Sequence, residues 1–154
     1  MRPFTSYSAP FRCNDRDIQH ESYCVISDSR EHSTTSVHVF LARLLHELKQ
    51  KLPHLKKVHY FMGGCAEQYN NRFNFMNICH HSFDFNLDCE WNFFATSHGK
   101  GPCDGVGGTV KRTTEKASLQ RPINSQIVTP HDMYSFCTTA LPSIHFIFVI
   151  FFGC

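Results

Sequence analysis

The side chains best suited to chemistry lie between Cys79 and Asp104. Within that span fall Cys79, His80, His81, Cys89, His98 and Cys103, and thiolate with imidazole suits a tetrahedral zinc site. The spacing is irregular, since no CxxC and no HxxxH pair occurs anywhere in the chain. One reading is a noncatalytic, zinc-stabilised interaction module held by Cys79, Cys89, His98 and Cys103. The other makes Cys79 and Cys89 small buried hydrophobes and His80 and His81 a polar helix end. A Cys/His nucleophile drawn from Cys103 and His98 lacks an orienting third group.

Carboxylates and glycines offer the other chemistry. The glycines near Lys100 fail as a P-loop, because Phe94 stands where the first glycine belongs and Gly101 replaces the magnesium-binding Ser/Thr. The run from Gly105 to Val110 fails as a dinucleotide loop, because Val110 replaces its last glycine. Asp28 follows a short apolar run, and Asp104 falls in the first turn of a glycine-rich segment. At the C-terminal edge of an α/β sheet such acids can line a site, although Asp104 also suits a helix N-terminus for purely electrostatic reasons.

The elements that must position these residues are readable from hydropathic period. Residues 1–21 mix Pro, Ser, Arg and Asp without period and read as a disordered lead-in. Tyr23 to Ile26 form a short buried strand closed by Ser27-Asp28-Ser29. Val37, Phe40, Leu41, Leu44, Leu45, Leu48 and Leu52 trace one helical face, with Thr34, Thr35 or Ser36 as cap and Pro53 as stop. Val58 to Met62 read as a second strand. A helix from about Cys65 to His80 then presents Tyr69, Phe73, Met76 and His80 on one face. Glu90 to Thr96 make a third strand. Pro102 opens a helix with Val106, Val110, Thr113 and Ala117 inward, where Gly105, Gly107 and Gly108 would admit a neighbouring backbone. A short helix follows Thr129-Pro130 and runs to about Thr139. The order strand, helix, strand, helix, strand, helix predicts an α/β fold with a parallel sheet.

Composition bounds the class. The chain has 154 residues, a formal charge of +2, 42% hydrophobic residues and fifteen phenylalanines, which describes one globular domain and not a disordered chain. Eight cysteines without an apolar leader or an Asn-x-Ser/Thr sequon read as reduced thiols in a nuclear or cytoplasmic protein that is not secreted. The uncharged stretch from Leu141 to Cys154 falls short of the roughly 20 residues that span a bilayer. Membrane association through it is therefore not expected.

The segments KVHYFMGGCAEQYNNRFNFMNICHH and EWNFFATSHGKGPCDGVGGTVKR are not generic. They resemble uncharacterised transposon-derived proteins of animal genomes, whose corresponding segments read like HYFSDGxxxQYKNxxNFxNLCHH and EWHFFATSHGKGxCDGxGGTxKR. The likeness covers about residues 23–135. It implies the core of an RNase H-like, DDE-type transposase or integrase, in which three acids hold two Mg2+ ions for phosphoryl transfer. On that likeness Asp104 matches the CDG aspartate and would be a metal ligand, with Asp28 as a further catalytic candidate. Gln68 and Asn71 match polar positions after the central strand.

This chain departs from the pattern at the acids themselves. Gly63 stands where the relatives carry Asp, and Asn70 where they carry Lys. No first acid is readable in residues 1–21. The expectation is a partial RNase H-like fold over residues 22–139, truncated at its N-terminus and catalytically inactive, followed by an apolar tail at 140–154 that reads either as sequence foreign to the domain or as a buried C-terminal strand. No bound cofactor and no small-molecule substrate are expected. DNA is the expected partner, through Lys100, Lys111, Arg112 and Lys116 with Gln68 and Asn71, because residues 99–121 carry five basic side chains against Asp104 and Glu115.

Overall fold

The computed structural model describes residues 4–14, 17–29, 33–62, 72–93 and 101–151. It is a mixed α/β chain in two compact units, one formed by Met1–Arg30 with Lys100–Cys154 and the other by Glu31–Gly99.

The first unit begins with two long strands, β1 (Phe4–Asn14) and β2 (Asp17–Ser27), paired antiparallel from Phe4 opposite Ile26 to Asn14 opposite Asp17. Much of the expected disordered lead-in is therefore strand. Pro10 cannot donate to a ladder, but β1 lies at the edge of its sheet, where a proline is tolerated. The last element, β5 (Ile144–Val149), pairs parallel with β2 from Ser22 opposite Ile144 to Ser27 opposite Val149. The strand order β1-β2-β5 makes β2 central, which accounts for its continuous buried run Tyr23, Cys24, Val25 and Ile26. The apolar tail is thus a sheet strand.

Two helices cover this sheet. Helix α3 (Pro102–Gln120) packs on β1 and β2, and α4 (Pro130–Ala140) packs on β2 and β5. Pro102 and Pro130 both occupy first-turn positions, where a missing N–H goes unmissed. Thr129 and Asp132 cap α4 reciprocally, each side chain taking the other's backbone N–H at 3.1 and 2.9 Å. The core joins Cys24 and Ile26 of β2 to Val110 of α3 and to Met133 and Cys137 of α4, with Val106, Phe146 and Phe148 packed around them. Gly105 has nothing within 4 Å of where a Cβ would project, and Gly108 meets only the side chain of Arg112. Neither glycine admits a neighbouring backbone, contrary to the expectation from sequence.

The second unit is a helix followed by a βαβ element. Ser33, one position before the expected caps, accepts from the N–H of Ser36 at 3.2 Å and starts α1 (Thr34–Lys51). The helix ends at Leu52, since the residue before Pro53 disfavours helical backbone. Its buried face is Val37, Phe40, Leu41, Leu44, Leu45 and Leu48, as the spacing predicts. Strands β3 (Lys57–Met62) and β4 (Asp88–Phe93) pair parallel in register from Lys57 opposite Asp88, joined by α2 (Arg72–Phe85). Asn86, with φ of 49°, stops α2 in the left-handed region that Asn tolerates.

Two sequence expectations fail in this unit. The strands of residues 23–26 and 58–62 do not share a sheet, because β2 takes β1 and β5 as neighbours while β3 takes β4. Helix α2 is also turned inside out. Phe73, Phe75, Met76 and Phe83 are exposed, whereas Asn74 and His81 are buried at 1% and 3% exposure. Tyr69 lies outside the described residues.

Candidate functional site

The acids are engaged by backbone. Asp28 follows the last residue of β2, and its Oδ1 accepts the N–H of Phe151 at 2.9 Å while its own N–H reaches Val149 O at 3.4 Å. Asp104 sits at the third position of α3, where its Oδ2 accepts the N–H of Gly101 at 3.0 Å and its N–H donates to Gly101 O at 3.0 Å. Each carboxylate completes a hydrogen-bonding pattern at the end of an element. Among the described residues no three His, Cys, Asp or Glu side chains gather as a metal site would require. Position 63 carries Gly and lies outside the described residues. Asp28 and Asp104 thus each spend one carboxylate oxygen on a backbone amide.

The zinc candidates are described only in part. Cys79 is exposed on α2, Cys89 is half-buried on β4, Cys103 belongs to the other unit, and His98 lies outside the described residues. The Cys89 thiol donates to the carbonyl of Ile78, and burial, followed by the charge of Asp88 and the neighbouring Cys79, pushes its pKa up. Of the paired histidines, His80 is exposed, but His81 is not a polar helix end. Its Nδ1 donates to the carbonyl of Leu87 at 2.8 Å, so in the neutral ring Nε2 accepts from the Tyr60 hydroxyl at 2.8 Å. The rings of Phe85 and Tyr60 flank it at 4.9 and 5.7 Å. Burial in turn pushes the Tyr60 hydroxyl pKa up, keeping it a donor. Nothing in the spacing of Tyr60, His81 and Leu87 announces this chain.

The nucleic-acid-binding candidates fare differently. Lys100, Gln68 and Asn71 lie outside the described residues. Lys111, Arg112 and Lys116 are all exposed on α3. Lys111 makes an i,i+4 pair with Glu115 at 3.8 Å, and the Arg112 guanidinium lies over Gly108. Arg112 and Lys116 are four residues apart and share a face, and neither pairs with a carboxylate among the described residues. The inner face of α3, built on Val106 and Val110, fixes this outer one.

No helix among the described residues is long and apolar enough to cross a membrane. No curated protein and no solved structure matches the chain. A family model described as a domain of unknown function (DUF8701) matches residues 2–151. Its span includes the N-terminal hairpin and the apolar C-terminal strand, so the tail is part of the domain and not foreign to it. With that match extending from β1 through β5, the chain belongs to the DUF8701 family.

Proposed function

We propose that the chain is a transposase-derived domain of RNase H-like descent that has lost catalysis and binds duplex DNA in the nucleus through the outer face of α3. The observation that carries the binding is the pair Arg112 and Lys116, exposed on one face without a carboxylate partner among the described residues. Descent is supported by the EWNFFATSHGKGPCDGVGGTVKR segment, which supplies the start of α3 and its first basic residues. The mixed α/β architecture accords with it, while the division of strands between two sheets departs from a single RNase H-like sheet. Loss of catalysis rests on Gly63 in place of an acid and on Asp28 and Asp104 serving backbone amides.

The test is a salt series of duplex DNA binding by the full chain. Each phosphate contact contributes a slope of about −0.9 in log affinity against log salt, so Arg112→Ala with Lys116→Ala should flatten the slope by about two. Absent or salt-independent binding would overturn the reading. Strand nicking with Mg2+ or Mn2+ that disappears in Asp104→Ala would overturn the loss of catalysis.

A further inference from the structure

A second surface of the first unit carries different chemistry. Beyond α3 the chain makes a 3-10 turn at Ile123–Ser125 and returns to α3, where Ile127 N donates to Ser118 Oγ at 3.1 Å. Between this loop and α4 lies an open depression of about 650 Å³, within the size range of ligand sites. Arg121 and Phe136 both line it, with the Arg121 guanidinium carbon over the Phe136 ring, 5.0 Å from its centroid. Arg121 has no carboxylate partner among the described residues, and the side-chain amides of Asn124 and Gln126 take no hydrogen-bond partner there. Asp132 also lines it, its Oδ2 held by the backbone N–H of Thr129.

Charge decides what this shelf suits. One cation and one carboxylate leave the lining neutral, which gives a lone phosphate little advantage. A flat guanidinium already resting on an aromatic ring offers its outer face to a second planar group. The amides and the carboxylate then offer both donors and acceptors to that group's edge. We infer that the Arg121–Phe136 shelf binds an unpaired nucleobase, stacked on the guanidinium and read along its edge by Asn124, Gln126 and Asp132. A base in a duplex has no free face and would not enter. The inference is thus separable from the duplex reading of α3.

The experiment is fluorescence anisotropy of the full chain with a labelled single-stranded oligodeoxyadenylate and with the matching duplex, each competed by adenosine monophosphate. Arg121→Lys keeps the charge and removes the plane. It should weaken single-strand binding about tenfold, within the range for one lost base stack, and leave duplex binding unchanged. Gln126→Ala, on an exposed loop, should weaken it in the same selective way. Competition by the mononucleotide that is lost in Arg121→Lys would support the same site with a free nucleotide as its source. Single-strand affinity equal to wild type in folded Arg121→Lys, equal losses for both probes, or no single-strand binding at all would overturn the inference. Failure of the α3 reading would instead show in the duplex salt slope alone.

Discussion

The carboxylate of Asp28 accepts the backbone N–H of Phe151 at 2.9 Å, across 123 positions of chain. Where β2 ends, this side chain supplies the acceptor that its backbone no longer offers to the strand beside it. Asp28→Ala should therefore lower stability by about 0.5–1.5 kcal/mol, and Asp28→Asn, which keeps an oxygen, by less. Urea unfolding of the two variants beside wild type measures the difference; identical midpoints would show that the contact contributes nothing.

Asp104 should behave as a helix-start residue. Asp104→Ala removes the acceptor for Gly101 N–H and a favourable charge in the first turn of α3, a loss of about 0.5–2 kcal/mol. Asp104→Glu, which keeps the charge and a carboxylate at the third helical position, should recover part of it in a thermal melt.

Tyr60→Phe isolates the buried hydrogen-bond chain, because it keeps the ring and removes only the hydroxyl. His81 Nε2, 3% exposed with its residue, then has lost its donor, and the expected cost is about 1–3 kcal/mol. A melting temperature equal to wild type would mean that water enters and replaces the hydroxyl.

Alkali should loosen the first unit. Burial, followed by the neighbouring Cys137, raises the Cys24 thiol from its ordinary 9.0 to about 12. The folded thiol keeps its proton where the unfolded one loses it, so this contribution is complete below pH 9, declines above it, and is gone once the pH passes about 12. Burial raises Cys137 in the same direction. Denaturant midpoints should fall as the pH rises above about 9, and the fall should be shallower in Cys24→Ala. Iodoacetamide under native conditions should modify exposed Cys79 well before Cys24 or Cys137.

What the sequence made legible was local. The faces of α1 and α3 repeat at helical spacing, Pro102, Thr129 and Pro130 mark helix starts, and Val58 to Met62 is a short apolar strand. What it hid depends on distant partners. Phe4–Asn14 is polar and interrupted by Pro10, and becomes a strand because β2 lies beside it. Ile144–Val149 could be read as a foreign tail because its partner is more than a hundred positions away. Helix α2 defies the apolar-inside rule because His81 finds Tyr60 and Leu87, a compensation no periodicity encodes. Place at a sheet edge, and for Asp104 the CDG likeness, marked Asp28 and Asp104 as candidates, yet their hydrogen bonds to backbone depend on where strands and helices end. Arg121 and Phe136 meet through tertiary packing, fifteen positions apart.

The parallel pairing of β2 with β5 makes the first unit discontinuous, with residues 31–99 inserted between its halves. During synthesis β1 and β2 must wait for β5, made more than a hundred positions later, while the inserted unit already has all of its own elements. The nascent chain should therefore acquire structure from its middle outward, against the usual order in which N-terminal segments fold first. Until β5 pairs with it, β2 would offer a bare apolar edge, the form of surface that holdase chaperones and neighbouring nascent chains capture.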